Sequence, residues 1–303
     1  MMSRILLVDA YSQIFRLFYA IRQLTSANGE PANALYGIAR LLLQLDTDFP
    51  SEMSEADHVA VAFDVHAPTF RHQMYADYKA GRKPMPEELR CQTQRIHDWV
   101  EAFGWKTVER EGFEADDLLA GIAGERGEGT VRIITGDKDL GQLVKDGEVL
   151  LLRPGNAKKP WEEIGEKEVE EKFGVAPSQV CDYLSLLGDA VDNIPGIPGC
   201  GAKTAAKLLK EYGTIDNMLG HLEEMPAGKL RDTLASERTR LLKNRELVRL
   251  DTPLPEDWNG IQSITRRRPD WHRLLELCDK EGFKSIAAEI HKRSIPQQLT
   301  LGL

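Results

Sequence analysis

The stretch VRIITGDKD, Val131 to Asp139, decides the fold. A mostly apolar run stops just short of two aspartates, the pattern of a strand buried on both faces whose end carries acid. The same form occurs twice earlier, in RILLVD at Arg4 to Asp9 and in HVAVAFD at His58 to Asp64. Helical patterns lie around and between them, over Ala34 to Leu45, Pro86 to Phe103 and Ala115 to Gly124. This alternation predicts an α/β fold, a mainly parallel sheet covered by helices. In such sheets, sites form outside the carboxyl ends of the strands. One aspartate after a strand is ordinarily a turn former or a helix cap, but three strand ends that all carry acid weaken that explanation.

After about Gly174 the alternation gives way to helical segments with polar breaks: SQVCDYLSLLG, KTAAKLLKEYG, GKLRDTLASERTRLLKNRELVRL, PDWHRLLELCDKEG and FKSIAAEIHKR. Asp46 to Asp57 and Arg153 to Glu163 read as loops. With 303 residues, 42% of them hydrophobic, the chain can bury a sizeable core. The apolar run Ile5 to Val8 is cut off by Asp9, so neither a signal peptide nor a membrane span is expected, and a cytoplasmic location follows by default. Cys91, Cys181, Cys200 and Cys278 are far apart and show no zinc-ligand spacing. They read as reduced thiols.

EGFEADDLLAGIAG sets Glu114, Asp116 and Asp117 at a helix start, where acids also suit the positive end of the helix dipole. GDAVDNIPGIPGCGAKTAAKLL, Gly188 to Leu209, adds Asp189 and Asp192 ahead of a glycine- and proline-rich loop and a lysine-bearing helix. Together with Asp9, Asp64, Asp137 and Asp139 these make nine carboxylates, as many as the whole net charge of −9. If most converge, either several stay protonated or divalent cations sit among them. Oxygen-only ligands suit Mg²⁺ or Mn²⁺, and two ions fit this many acids better than one. A pair of ions about 4 Å apart is a standard device for phosphodiester hydrolysis.

The negative total argues against a nucleic-acid partner, because phosphate contacts need lysine and arginine. The distribution argues the other way. His66 to Arg95 holds six Lys/Arg against three Asp/Glu, Lys229 to Arg249 seven against three, and Arg266, Arg267 and Arg268 follow. Within the first segment Arg71, Tyr75, Tyr78, Lys79, Arg82 and Lys83 combine rings with cations, as single-stranded nucleic acid requires. An exposed helix with inward tyrosines fits the same letters. The IPGIPGCGAKTA loop is not a nucleotide-binding P-loop, since Ala202 separates Gly201 from Lys203. Gly196, Gly199 and Gly201 would let the backbone approach a phosphate, with Lys203, Thr204 and Lys207 on the helix behind.

Five motifs in order, VDAYSQIFRLFYA, AFDVHAPTFRHQMYADYKAGR, EGFEADDLLA, ITGDKDLGQLV and GDAVDNIPGIPGCGAKTAAKLL, resemble the 5′ nuclease (flap endonuclease) family, and most of all the N-terminal 5′-3′ exonuclease domain of bacterial DNA polymerase I. The resemblance runs from about Arg4 to Arg293 and implies a PIN-like core over residues 1–174 with a helical arch at about 70–97. A helix-three-turn-helix (H3TH) duplex-binding region over 175–293 follows, then a tail at 294–303. It further implies a monomeric Mg²⁺-dependent 5′-3′ exonuclease and flap endonuclease of replication and repair, acting on branched, nicked or 5′-flap DNA and on RNA primers; the chain departs from the polymerase in length, which makes a free-standing nuclease the expectation. By motif, Asp9, Asp64 and Asp116 look like ligands of the first ion with Glu114 close behind. Asp137 and Asp139 look like ligands of the second, supported by Asp189 and Asp192, and Asp117 belongs to the cluster. Lys79 and Arg82 resemble the arch cations that steer the scissile phosphate, and Tyr78 a ring that stacks on a base. The 196–203 loop resembles the turn where relatives hold K⁺ against a phosphate.

Gln298, Leu299, Leu301 and Leu303 in the tail fit the QLxLxL form of peptides that bind the bacterial sliding clamp. Two other functions stay open on sequence: a junction-binding protein that does not cut, and a PIN-type ribonuclease.

Overall fold

The computed structural model describes residues 3–47, 56–155, 161–251 and 253–294. Among the described residues six strands form one sheet: β1 (Arg4–Asp9), β2 (His58–Ala62), β3 (Lys106–Val108), β4 (Thr130–Ile134), β5 (Val149–Pro154) and β6 (Trp161–Ile164). The order is β3-β2-β1-β4-β5-β6, parallel except for β6, which pairs antiparallel with β5. The three acid-tipped strands are therefore the three at the centre. Registers of Asp9 with Ala62 and Val8 with Ile134 bring their carboxyl ends level.

The central strands are apolar at nearly every position because both faces are covered. Leu6, Val8, Val59 and Val61 point into one core, with helices 33–47, 93–102, 271–281 and 284–294 packed on it. Ile5, Leu7, Ala60, Val131 and Ile133 point into the other, which continues through helix 115–124 into the helical region 180–248. Burying each such aliphatic side chain contributes about 1.5–3 kcal/mol, so the sheet is a rigid base for whatever its ends carry.

Two expectations need correction. The 153–163 segment is not simply a loop, because it holds the end of β5 and the start of β6, a hairpin in which Leu152 pairs with Glu163. The helix expected over Pro86–Phe103 is two, Glu87–Arg90 and Thr93–Ala102. Between them Gln92 is fully buried, its amide bonded to Leu35 N, Asn33 Oδ1 and Glu88 O. The segment read as a helical arch carries only the short helix Phe70–Met74 and turns before Glu87.

Helix 180–187 ends at Gly188, a two-residue pairing of 188–189 with 194–195 follows, and helix 202–212 begins after Gly201. Among the described residues no helix is long and apolar enough to cross a membrane. All four cysteines are free thiols. The tail residues Gln298, Leu299, Leu301 and Leu303 lie outside the described residues.

Candidate active site

A groove of about 860 Å³ opens over the carboxyl ends of β1, β2 and β4. Asp9, Asp64, Glu114, Asp116 and Asp137 line it, and Lys79 and Arg82 stand on its rim. Backbone amides hold several of these acids from behind. Asp9 caps helix 10–20, accepting from Ser12 N at 3.0 Å, while its other oxygen accepts from Thr135 Oγ1 at 2.8 Å. Asp64 accepts from Ala115 N at 2.7 Å, Asp137 from Asp139 N at 2.8 Å, and Asp189 from Val191 N at 2.7 Å. The capping explanation is thus correct for Asp9 and incomplete, because the cap fixes the carboxylate at the groove.

The acids fall into two electrostatic groups. Glu114 accepts Lys79 Nζ at 2.5 Å and Tyr78 Oη at 3.0 Å; Asp192 accepts Arg82 at 2.6 Å and Tyr78 Oη at 3.0 Å; Asp189 accepts Lys138 Nζ at 2.7 Å. Against the cost of burial, Lys79 and Arg71 hold the Glu114 carboxyl below its usual range, and Lys138 does the same for Asp189. The other group has no ion pair of its own among the described residues. Burial, helped by Asp64 and Asp137, pushes Asp9 up to about 7, and burial with Asp137 pushes Asp139 up to about 7. Burial raises Asp116 well above its ordinary value, with Asp137, Asp9 and Asp64 adding to it, and burial raises Asp64 as well.

These acids suit hard cations by chemistry. All the donors are oxygens, and Asp139 Oδ1 is buried with no hydrogen-bond partner. Among the described residues no three His, Cys, Asp or Glu side chains are yet drawn together as a finished coordination sphere. A cation would have to pull the carboxylates inward against their mutual repulsion, which it would also relieve.

A stability prediction follows. Carboxyls whose folded pKa is raised bind more protons folded than unfolded between 3.8 and about 7, so stability falls as pH rises through that window. Glu114 and Asp189, held below their usual range, contribute the opposite slope only at lower pH. In chelator, the melting temperature is expected to be higher at pH 5 than at pH 8. Millimolar Mg²⁺ is expected to raise it at pH 8 and to do little at pH 5. A flat thermal-shift profile across both pH values would contradict the convergence of these acids.

Several candidates sit elsewhere than the sequence suggests. Asp117 is 1% exposed and turned away from the groove into a bidentate pair with Arg71, at 2.6 and 2.7 Å. Arg71 is itself 2% exposed and donates to the carbonyls of Leu247 and Arg249, so it cannot touch DNA in this arrangement. Tyr78 is 3% exposed with its hydroxyl on Glu114 and Asp192, so its ring does not offer a stacking face. At Gly196 a Cβ would lie 2.0 Å from Leu187 O, so this glycine serves the chain's own packing. Gly199 and Gly201 are open to solvent, and Gly199 has φ +80°. Lys83, Lys203 and Lys207 are exposed and Thr204 is half-buried.

Two residues with a place in the site were not singled out by sequence. Thr135 joins two acids, donating to Asp9 and accepting from Asp137 N at 2.9 Å. Lys138 holds Asp189. Position between strand end and acids was the available signal for both.

Comparison with known proteins places the chain by family and fold. Residues 4–174 match the family described as 5′-3′ exonuclease, N-terminal resolvase-like domain, and residues 175–271 match 5′-3′ exonuclease, C-terminal SAM fold. The chain is 38% identical to the thermostable DNA polymerase I of Thermus filiformis over 289 residues, 95% of this chain and 33% of the polymerase. It therefore spans about a third of the length of that relative. It is 35% identical to the 5′-3′ exonuclease of Aquifex aeolicus, covering 96% of each chain. The structure of T5 5′-exonuclease with divalent zinc ions bound superposes with a TM-score of 0.63 at 20% identity, over 95% of this chain and 98% of that one, and so shares the fold.

Proposed function

Because the chain belongs to the 5′-3′ exonuclease family, we propose that it is a structure-specific 5′ nuclease that hydrolyses DNA phosphodiesters as a 5′-3′ exonuclease and flap endonuclease. The observation that carries the reading is the convergence of Asp9, Asp64, Asp116 and Asp137 on one groove rimmed by Lys79 and Arg82. The substrates proposed are branched, nicked or 5′-flap DNA and RNA primers on DNA. The proposed division is a nuclease core over 1–174 with its arch at about 70–97, a duplex-binding region over 175–293, and a tail at 294–303.

Asp9, Asp64 and Asp116, with Glu114 behind them, would hold one Mg²⁺, and Asp137 and Asp139, supported by Asp189 and Asp192, a second; Mn²⁺ would serve in their place. Such ions supply activation of water and stabilisation of charge on the departing oxygen. The chain's own part is to orient and neutralise. Lys79 and Arg82 are positioned to receive the phosphate bearing the cut, and their present partners Glu114 and Asp192 keep them extended over the groove until it arrives. The open backbone at Gly199 and Gly201, with Lys203 and Lys207 on the helix behind, would grip a duplex by its phosphates, K⁺ assisting at the loop. Because Asp189 and Asp192 lead directly into that loop, the distance from duplex grip to chemistry is fixed by a few residues of chain. The clamp motif in the tail extends the proposal to tethering at primer junctions.

The test is a 5′-labelled flap duplex with Mg²⁺ or chelator. Mg²⁺-dependent release of the flap is expected; duplex binding without cleavage would point to a junction binder, and cleavage confined to single-stranded RNA to a PIN-type ribonuclease. In Ca²⁺ or chelator, Lys203→Ala with Lys207→Ala is expected to weaken duplex binding uniformly across sequences. The salt dependence should flatten by about one unit of log–log slope for each phosphate that is no longer neutralised. An unchanged slope would remove this helix from the DNA interface.

A further inference from the structure

Lys138 lies between Asp137 and Asp139 in sequence, and neither the motifs nor the proposed reaction gives it a task. Its side chain is 38% exposed at the edge of a second groove, of about 570 Å³, that Asp137 shares. It reaches 2.7 Å from Asp189 Oδ2. Asp189 Oδ1 is already engaged by Val191 N at 2.7 Å and Asp192 N at 3.3 Å, so Lys138 takes the one oxygen the backbone leaves free. Nearby, Asp139 Oδ1 is buried with no partner. The local set of Asp137, Asp139 and Asp189 thus meets a single tethered positive charge. That cation is held by a flexible four-carbon stem and can swing into solvent without moving the backbone.

We propose that Lys138 is a positioning residue that serves as a built-in counter-cation for Asp137, Asp139 and Asp189, competing with a divalent ion for Asp189 Oδ2 and so setting the affinity of that ion. The inference rests on the metal reading above. Two effects of the same sign follow from removing the ammonium. The cation-free acids lose their partner and repel one another more strongly, and an incoming divalent ion no longer meets a like charge. Both favour the ion. A lysine that served only to hold the fold would lower stability when replaced and leave ion affinity where it was. A lysine that served to bind the substrate phosphate would weaken DNA binding instead.

The experiment is a Mn²⁺ titration of the whole chain followed by the paramagnetic resonance of free Mn²⁺, with the Mg²⁺ dependence of the melting temperature as a second readout. Lys138→Gln is expected to tighten one class of Mn²⁺ site about tenfold, with solvent screening limiting the gain, and to leave the other class unchanged. Lys138→Arg keeps the charge and is expected to stay within about twofold of the native chain. Affinities for Mn²⁺ in Lys138→Gln that are unchanged or weaker would overturn the inference while leaving the metal reading standing. A native chain that binds no Mn²⁺ at all would overturn the metal reading, and this inference with it.

Discussion

Asp116→Asn is expected to slow flap cleavage by at least about 10³-fold, since losing several kcal/mol of charge stabilisation at about 1.4 kcal/mol per tenfold reaches that size. Asp116 sits in the first turn of helix 115–124, facing Asp9, Asp64 and Asp137 across the groove. Its carboxylate has no ion-pair partner among the described residues, unlike Glu114, Asp189 and Asp192. The amide removes a charge from the most crowded part of the cluster, so the same substitution is expected to raise the melting temperature of the cation-free protein at pH 8 by a few degrees. It should also reduce the rise that Mg²⁺ gives. Activity and cation-free stability moving in opposite directions is the mark of a site whose acids are assembled at a cost to the fold. Near-native cleavage, or a lower melting temperature in chelator, would show that Asp116 is a structural acid.

The parts of this arrangement legible in the sequence are those where local pattern and long-range packing demand the same thing. Asp9, Asp64 and Asp137 could be found because a strand buried on both faces is mostly apolar until it leaves the sheet, and an acid follows within three residues of that point in all three. Glu114 and Asp116 could be found because a helix start favours acids whether or not a site needs them. β5 and β6 escaped notice for a related reason: LLLRP and WEEI fit the hairpin only through each other, and neither carries acid at a strand end. The segment around Arg71 and Tyr78 has no period, and a run of turns gives no rule for which side chains face inward. Inward tyrosines fit its composition as well as nucleic-acid contacts do, and the stacking role of Tyr78 rests on the family resemblance alone. The burial of both residues is decided by groups distant in the chain, the Leu247 and Arg249 carbonyls for Arg71 and the Asp192 carboxylate for Tyr78. Gly196 shows the same limit: a loop glycine can serve a ligand's approach or the chain's own, and only the 2.0 Å clearance to Leu187 O decides.

That distant bonding makes Arg71→Ala the largest stability effect expected outside the aliphatic core. The guanidinium joins three parts of the molecule: its own short helix 70–74, Asp117 on helix 115–124, and the end of helix 238–248 through the Leu247 and Arg249 carbonyls. Removing it leaves the Asp117 carboxylate, whose side chain is 0% exposed, charged with no cation to pair with. Breaking one side of a buried pair costs about 3–5 kcal/mol, and the melting temperature is expected to fall by about 10 °C. Arg71→Met with Asp117→Asn removes both charges and keeps an oxygen to accept Glu114 N, which Asp117 Oδ2 now receives at 3.0 Å. The double variant is therefore expected to be more stable than Arg71→Ala, with a coupling energy of about 2–3 kcal/mol in the corresponding cycle. Full recovery is not expected, because the two carbonyls lose their donor. The pair also reaches the site: Arg71 Nη1 lies 3.4 Å from Glu114 Oε2. Divalent-ion affinity in the double variant should thus fall by about 10- to 100-fold, as when a group behind a ligand is lost, even where its fold is largely restored. Additive melting shifts in the cycle would mean that the pair does not act as a unit. Unaltered ion affinity in the refolded double variant would confine Arg71 to the architecture and detach it from Glu114.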